Sequence, residues 1–311
     1  MLDEIPELRV RRGVSLAGYT RFGIGGPADV LAETACERAF LDAVRALRAA
    51  GAPFVVIGGG TNLIVADEGF RGTVLRYTSE QIDAGGSTLR ADVGATLDAV
   101  VNFAVSRGLA GLETLAGIPG SLGGAVYGNA GAYGHSISER VRAVRYFDGG
   151  QVRTADREDC RFTYRESVFK RRRDWILLAA EFELTPADAA AMRETAAGIV
   201  HTRNQKFPPT MKCAGSIFKN LLAAELPPRV AAQVPESKVR EGKVPAAFFL
   251  EQAGAKGRSR GDIRVADYHA NLIYNDGAGT ASDLVALIAE LKDRVRDRFG
   301  LDLEEEVQYI G

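Results

Sequence analysis

Apolar residues first recur at helical spacing between positions 38 and 50, where Phe40, Leu41, Val44 and Leu47 share one stripe. Gly51 stands where the C-terminal cap of such a helix belongs. The run PFVVI at 53–57 predicts a short buried strand, followed by Gly58-Gly59-Gly60-Thr61-Asn62 and a second apolar run at 63–65. Strands are predicted again at 73–77 and 88–93. Thr96 suits the N-cap of a helix carrying Leu97, Val100, Val101 and Ala104, with Gly108 at its end. Later come strand patterns at 141–147 and 176–184, a turn at Asp148-Gly149-Gly150, and a helix at 187–200. Residues 201–211 are polar and broken by proline, which predicts a linker. A last amphipathic helix spans 282–299, with Leu284, Leu287, Ile288, Leu291 and Val295 on one face. The tail at 303–310 alternates as a strand does. No repeat is visible, and the order lacks the strict βαβα alternation of a doubly wound sheet. The expected class is α+β, with a boundary near residue 200.

A chain of 311 residues suggests two domains. Lys and Arg total 39 against 40 Asp and Glu, without the concentrated basic excess of a nucleic-acid binder. The one basic run, Lys170-Arg171-Arg172-Arg173, is closed by Asp174 and reads as a solvated loop or the start of a strand. Cysteine stands only at 36, 160 and 213, without the spacing of a zinc site, which points to a reducing compartment and no metal. The first 13 residues lack the apolar core of a signal peptide. Residues 114–138 carry no formal charge, yet they hold seven glycines and Pro119. At about 0.8–1 kcal/mol per Gly and about 3 for Pro, a membrane-spanning helix there is excluded. The expectation is a soluble, cytoplasmic protein with no membrane insertion and no nucleic-acid partner.

Glycine changes the picture. The chain has 35, where average composition predicts about 22, and nine of them fall within 108–134. There is no Gly-X-Y period. Such density lets main chain pass close to another group. A Rossmann fingerprint fits poorly: Pro27 spoils the register of Gly23-Ile24-Gly25-Gly26, and Leu63 occupies the third glycine position after Gly58. Strand, GGGTN, strand is instead compatible with an anion-binding nest of N–H groups, and equally with an ordinary hairpin turn. Residues 117–125 and 128–134 favour a ligand, because a core segment would carry Leu or Val where these are small.

Six segments, FGIGGPA, VIGGGTNLIV, AGIPGSLGGAVYGNAGAYG, TYRESVFK, CAGSIFKN and EEEVQYIG, occur in the order found in the UDP-N-acetylenolpyruvoylglucosamine reductases. From residue 19 to residue 311 the chain resembles that family of flavoenzymes. The resemblance implies noncovalent FAD on an α+β domain of the vanillyl-alcohol-oxidase type, residues 1–200 with a subdomain split near 67. A smaller α+β substrate domain, 201–311, would end in a catalytic strand. The residues matching the cofactor site are Gly58, Gly59, Gly60, Thr61, Asn62 and Leu63 for the diphosphate, with Ile118, Pro119, Gly120, Ser121, Gly123, Gly124 and Ala125. Asn129, Ala130 and Gly131 would lie near the flavin, and Arg203 near the cofactor.

The implied reaction takes hydride from NADPH and reduces the enolpyruvyl ether of UDP-N-acetylglucosamine, in peptidoglycan precursor synthesis. Its catalytic positions match Arg165, Ser216 and Glu306, and its substrate positions match Lys219, Asn220 and Gln252. The expected state is a monomer. His269 and Asn271 match a recurring segment and read as structural. Read without the resemblance, Ser216 is a turn residue, Arg165 a salt-bridge partner of Glu166 or Asp174, and Glu306 one of three solvated glutamates. Two departures stand out. Gln308 replaces a common arginine, leaving Lys219 or Lys243 to supply the cation, and residues 221–247 are longer than usual, as a lid or a solvated insertion. The short interval from Arg165 to Ser216 is that of the family's form without a tyrosine-bearing loop. A flavin oxidase of another alcohol or sugar, or a nucleotide-sugar sensor without catalysis, are the alternatives.

Overall fold

Phe40, Leu41, Val44 and Leu47 are at most 6% exposed, all on the helix Glu37–Ala49, so the first stripe read from the sequence is a core face. The computed structural model describes residues 1–311. They form two units, each assembled from several stretches of chain. The first comprises Met1–Val14, Ala28–Gly60 and Arg71–Pro209; the second comprises Ser15–Pro27, Thr61–Phe70 and Thr210–Gly311. The changeover the sequence places near 200 thus falls at Pro209, and two N-terminal stretches join the second unit.

The first unit holds a four-stranded sheet in the order Arg9–Ser15, Pro27–Thr34, Phe70–Tyr77, Phe54–Val56. It also holds an antiparallel five-stranded sheet in the order Val152–Asp156, Val141–Phe147, Ile176–Glu183, Thr88–Asp92, Ile82–Gly85. The helix Leu97–Ser106 starts at Thr96, whose hydroxyl accepts from the Ala99 N–H at 3.1 Å. Its Val100, Val101 and Ala104 pack with Leu89, Ala91 and Val144 of the five-stranded sheet. The linker expected at 201–211 is mostly helix: Ala189–Lys206 runs without a break and stops before Pro208-Pro209. Only Met192 and Ala196 of that helix are buried, so there is no apolar stripe to announce its second half.

The second unit is built on the antiparallel sheet Lys212–Ser216, His269–Asn275, Ile263–Ala266, Ser259–Arg260, with the helix Ala281–Phe299 sharing its core. Leu284, Leu287, Ile288, Leu291 and Val295 are buried as the periodicity predicts. Phe22, Ile24 and Ile64 join the same core. Leu63–Val65 pairs in parallel with Gln308–Ile310, which is why those early residues belong here. The strand expected over 303–310 is limited to its last three residues, with Glu305 making one isolated bridge to Phe218. Residues 221–247 are not merely solvated. Leu221–Leu222 pairs with Lys243–Val244 across their base, and Leu226, Val230 and Val244 sit in the core. No helix in the chain is long and apolar enough to cross a membrane.

The start of helix Ala281–Phe299 is capped twice. Thr280 Oγ1 accepts from the Asp283 N–H at 3.0 Å, and the Asp67 carboxylate accepts from the Ala281 N–H at 2.7 Å and the Ser282 N–H at 2.9 Å. The Ser282 hydroxyl donates to Asp67 as well, at 2.6 Å. Burial pushes the Asp67 carboxyl up, but the bonds from Ser282 and Ala281 outweigh it and leave it below its ordinary 3.8. A group depressed in the folded state stabilises fully above its unfolded value and loses that contribution as pH falls through the folded one. Asp67→Ala is therefore expected to lower Tm at pH 7 by about 1–4 °C, for a cap worth about 1 kcal/mol. The deficit should shrink below pH 3.8, which thermal melts across that range would show. A deficit that stayed constant with pH would remove the carboxylate's charge from the account.

Candidate active site

The strand Phe54–Val56 pairs with Phe70–Tyr77, whereas Leu63–Val65 pairs with Gln308–Ile310. The glycines between them therefore do not close a hairpin. In the first unit Gly58 and Gly59 press against the turn that carries Gly120 and Ser121. A Cβ on Gly58 would stand 2.1 Å from Ser121 Oγ, and one on Gly59 would stand 3.0 Å from Gly120 Cα. Ser121 Oγ accepts from the N–H groups of Gly59 and Gly124, each at 3.3 Å, and it caps the short helix Leu122–Tyr127. Gly58, Gly59, Pro119 and Gly124 are exposed beside Gly60, Ser121 and Ala125, which are buried. Ile118 packs on the core beneath. The result is a bare main-chain cradle in which any side chain at 58 or 59 would collide.

Not every small residue serves a ligand. The small residues at 117–125 and 128–134 are spread over a turn, the helix Leu122–Tyr127 and a hairpin that pairs Gly131–Ala132 with His135–Ser136. Gly123 is small because a Cβ there would lie 3.0 Å from Val93 Cβ, and at Gly131 it would lie 2.4 Å from the His135 carbonyl.

Arg165 lies on a neighbouring turn. Its guanidinium donates to the Gly131 carbonyl at 2.9 Å and to the Asn129 carbonyl at 3.4 Å, with its Cζ 5.3 Å from the Tyr164 ring centre. Asn129 returns the link, donating from Nδ2 to the Thr163 carbonyl at 2.8 Å and accepting at Oδ1 from the Ser138 N–H at 3.3 Å. Asn129 and Arg165 both take left-handed backbone, φ 44° and 58°. Non-glycine residues in that region cost about 1–3 kcal/mol each and gather at functional sites. Nearby, Asp174 pairs with Arg172 and Glu166 with Lys170, each at 2.8 Å. Arg203 sits on the helix Ala189–Lys206 with its side chain 3.4 Å from where a Gly117 Cβ would be. It is therefore a helix residue beside the glycine-rich turn rather than a linker charge.

In the second unit the segment after Ser216 runs beside the one that carries Glu306. Ser216 ends the strand Lys212–Ser216, just after Gly215 at φ 78°, and the next residue's carbonyl accepts from the Glu306 N–H at 2.7 Å. The Lys219 N–H donates to the Glu304 carbonyl at 2.9 Å, so residues 217–219 run beside 304–306. Within the acidic triplet, Glu304 takes the buried Lys219 ammonium at 2.5 Å, and Glu305 takes Lys292 at 2.7 Å and the Tyr309 hydroxyl. The Tyr309 hydroxyl is pushed well above its usual value by burial and by Glu305. Asn220 Oδ1 accepts from the Ala246 N–H at 3.3 Å. Gln252 is exposed at the end of the helix Ala246–Gln252 and accepts from Arg298. Gln308 turns back on its own strand, donating to the Val307 carbonyl at 3.2 Å.

The sequence names two further residues, Asn62 at the cofactor loop and Asn271 as structural, without showing what they bond. Asn62 lies in the glycine loop, yet its Nδ2 donates to the Glu306 carbonyl at 2.9 Å and its carbonyl accepts from the Gln308 N–H at 2.9 Å. It is thus an anchor of the glutamate strand, beside Thr61 and Leu63, which are half-buried. Asn271 is 2% exposed and bonded to Phe218. Its signal was a polar residue within the otherwise apolar run ANLIY.

Both glycine segments, 58–63 and 117–134, lack Asp and Glu. Exposed main chain without acidic groups, with an arginine beside Gly117, fits an extended anionic cofactor. Residues 28–155 match the model of an FAD binding domain, and residues 207–310 match that of the UDP-N-acetylenolpyruvoylglucosamine reductase C-terminal domain. The UDP-N-acetylenolpyruvoylglucosamine reductase of Solibacter usitatus is 62% identical over 310 residues, covering 100% of this chain and 99% of that one. The chain belongs to the UDP-N-acetylenolpyruvoylglucosamine reductase family. The Bacillus subtilis reductase is 32% identical over 317 residues, covering 100% of this chain and 98% of its own length. A crystal structure of the reductase from Thermus caldophilus superposes with a TM-score of 0.77 at 30% identity, covering 98% of this chain and all of that one. This reductase is therefore an FAD-dependent oxidoreductase of α+β architecture.

Proposed function

We propose that the enzyme reduces the enolpyruvyl ether of UDP-N-acetylglucosamine to UDP-N-acetylmuramate with electrons from NADPH, in peptidoglycan precursor synthesis. The observation that carries this reading is the pairing of a serine and a glutamate on adjacent segments, through the 2.7 Å bond from the Glu306 N–H to the Ile217 carbonyl. Saturating the vinyl ether requires hydride at C3 and a proton at C2. Between the two, negative charge spreads into the carboxylate, so the chemistry needs an acid at C2 and a cation or proton donor at the carboxylate.

Bound FAD would supply the hydride, and the residues that would hold it are Gly58, Gly59, Gly60, Thr61, Asn62, Leu63, the 118–125 turn, Asn129, Ala130, Gly131 and Arg203. Ser216 delivers the proton to C2. Arg165, fixed by the carbonyls of Asn129 and Gly131, stabilises the developing carboxylate charge, and Glu306 polarises the same group. Lys219 and Asn220 bind the UDP-sugar, and Gln252 the nucleotide. With Gln308 folded onto its strand, Lys219 is the cation next to the glutamate segment, since Lys243 lies 3.9 Å from Glu241. The reading takes the enzyme to be a monomer acting in the cytoplasm.

The test is spectroscopic. NADPH should bleach the flavin absorbance of the purified enzyme, and UDP-N-acetylglucosamine enolpyruvate should restore it under anaerobic conditions. Bleaching without substrate-driven recovery would favour a flavin enzyme of another alcohol or sugar. Binding of the UDP-sugar without any flavin would favour a sensor.

A further inference from the structure

The main chain from Ile217 to Lys219 is bonded at five successive polar groups, and Asn271 supplies three of the partners. The Ile217 N–H donates to the Asn271 carbonyl at 3.2 Å. The Phe218 N–H donates to Asn271 Oδ1, and Asn271 Nδ2 donates to the Phe218 carbonyl, both at 2.9 Å. The remaining two groups, the Ile217 carbonyl and the Lys219 N–H, bond to Glu306 and Glu304.

A regular ladder would not arrange this. The pairing of Lys212–Ser216 with His269–Asn275 slips between Cys213 and Ser216, where Gly215 takes φ 78°. Past the slip, the carboxamide of Asn271 stands in for the missing backbone partner of Phe218. The segment can therefore leave the sheet just after Ser216 and meet the glutamate strand on its other side. Asn271 is 2% exposed, and its own N–H is held by His269 Nδ1 at 3.1 Å. Its amide is thus bonded at both ends within the protein, far from any need to touch substrate.

From this geometry we infer that Asn271 is a positioning residue for proton delivery by Ser216, holding the serine in register with Glu306. The inference rests on Ser216 being the acid. Removing the carboxamide leaves the Phe218 N–H and carbonyl without partners and frees the segment between the two catalytic groups to shift. A displacement of about 1 Å is enough to cost about 10²-fold in a reaction that depends on orientation.

The experiment uses the holoenzyme in rapid mixing, with the two half-reactions read separately. Asn271→Ala should leave flavin bleaching by NADPH within about twofold of wild type and slow reoxidation by substrate by about 10–100-fold. The solvent deuterium effect on reoxidation should rise as proton delivery becomes limiting. In a Ser216→Ala background the same change should cost less than about threefold more, because the two residues act through one group. Asn271→Ser, with a shorter polar side chain, should show the same pattern at smaller size and is read in its place if the alanine variant loses flavin. Equal losses in both half-reactions, or a full multiplicative loss on top of Ser216→Ala, would overturn the inference. Undiminished reoxidation in Ser216→Ala alone would overturn it too, by removing the acid that it serves.

Discussion

Ser216→Ala is expected to keep NADPH-driven flavin reduction at the wild-type rate while slowing substrate-driven reoxidation by at least about 10²-fold. That loss corresponds to about 2.7 kcal/mol of transition-state stabilisation. The split follows from where the proton is needed. Flavin reduction by a nicotinamide asks nothing of an acid at the substrate's C2, whereas the second half-reaction cannot finish without one. Rapid mixing with each partner in turn separates the two, and turnover unchanged by the substitution would take Ser216 out of the mechanism. A serine hydroxyl is a weak acid, so the structure must supply its orientation. Ser216 follows a left-handed glycine and precedes a segment bonded on both sides.

The second large effect is expected at the glycine loop. Gly58→Ala should yield protein largely free of flavin, with cofactor affinity lowered at least about 10²-fold, or about 2.7 kcal/mol. The new methyl would lie 2.1 Å from Ser121 Oγ. That oxygen is not free to swing away at no cost, because it holds the N–H groups of Gly59 and Gly124. Either the loop moves off the turn or the cap is lost, and both outcomes disorder the cradle. Adding Ser121→Ala removes the colliding oxygen but leaves the Ser121 Cβ 3.2 Å from the new methyl, so it should recover binding only in part. Flavin absorbance per chain after gel filtration reads both variants. Full occupancy in Gly58→Ala would show that this loop does not carry the cofactor.

How much could be read in advance depended on whether the signal was local. Stripes such as Phe40, Leu41, Val44 and Leu47 declare a helix because burial repeats within a few residues. The helix Ala189–Lys206 buries only two side chains, so its polar end resembled a linker. The three-stretch build of the second unit left no local trace. It depends on a parallel pairing between residues 63–65 and 308–310, and neither partner's own pattern reveals the other. For the site, glycine density signalled close approach, but part of it serves protein packing, as at Gly123 against Val93. The roles proposed for Ser216, Arg165 and Glu306 rest on the order of the motifs around them. Alone, each has a commonplace reading as turn, ion pair or solvated acid. Glu304 and Glu305 are bonded to Lys219 and Lys292.

The parallel pairing of Leu63–Val65 with Gln308–Ile310 also sets a timetable for synthesis. The early strand leaves the ribosome about 240 residues before its partner exists, a wait of about 12–50 s at ordinary translation rates. During that interval Phe22, Ile24 and Ile64, destined for the core, have no core to enter. The second unit therefore closes only after translation has passed Glu306, and the nascent chain must carry unburied hydrophobic surface until then. A ribosome stalled short of residue 308 would display a chain able to complete neither its last strand nor the glutamate segment beside it.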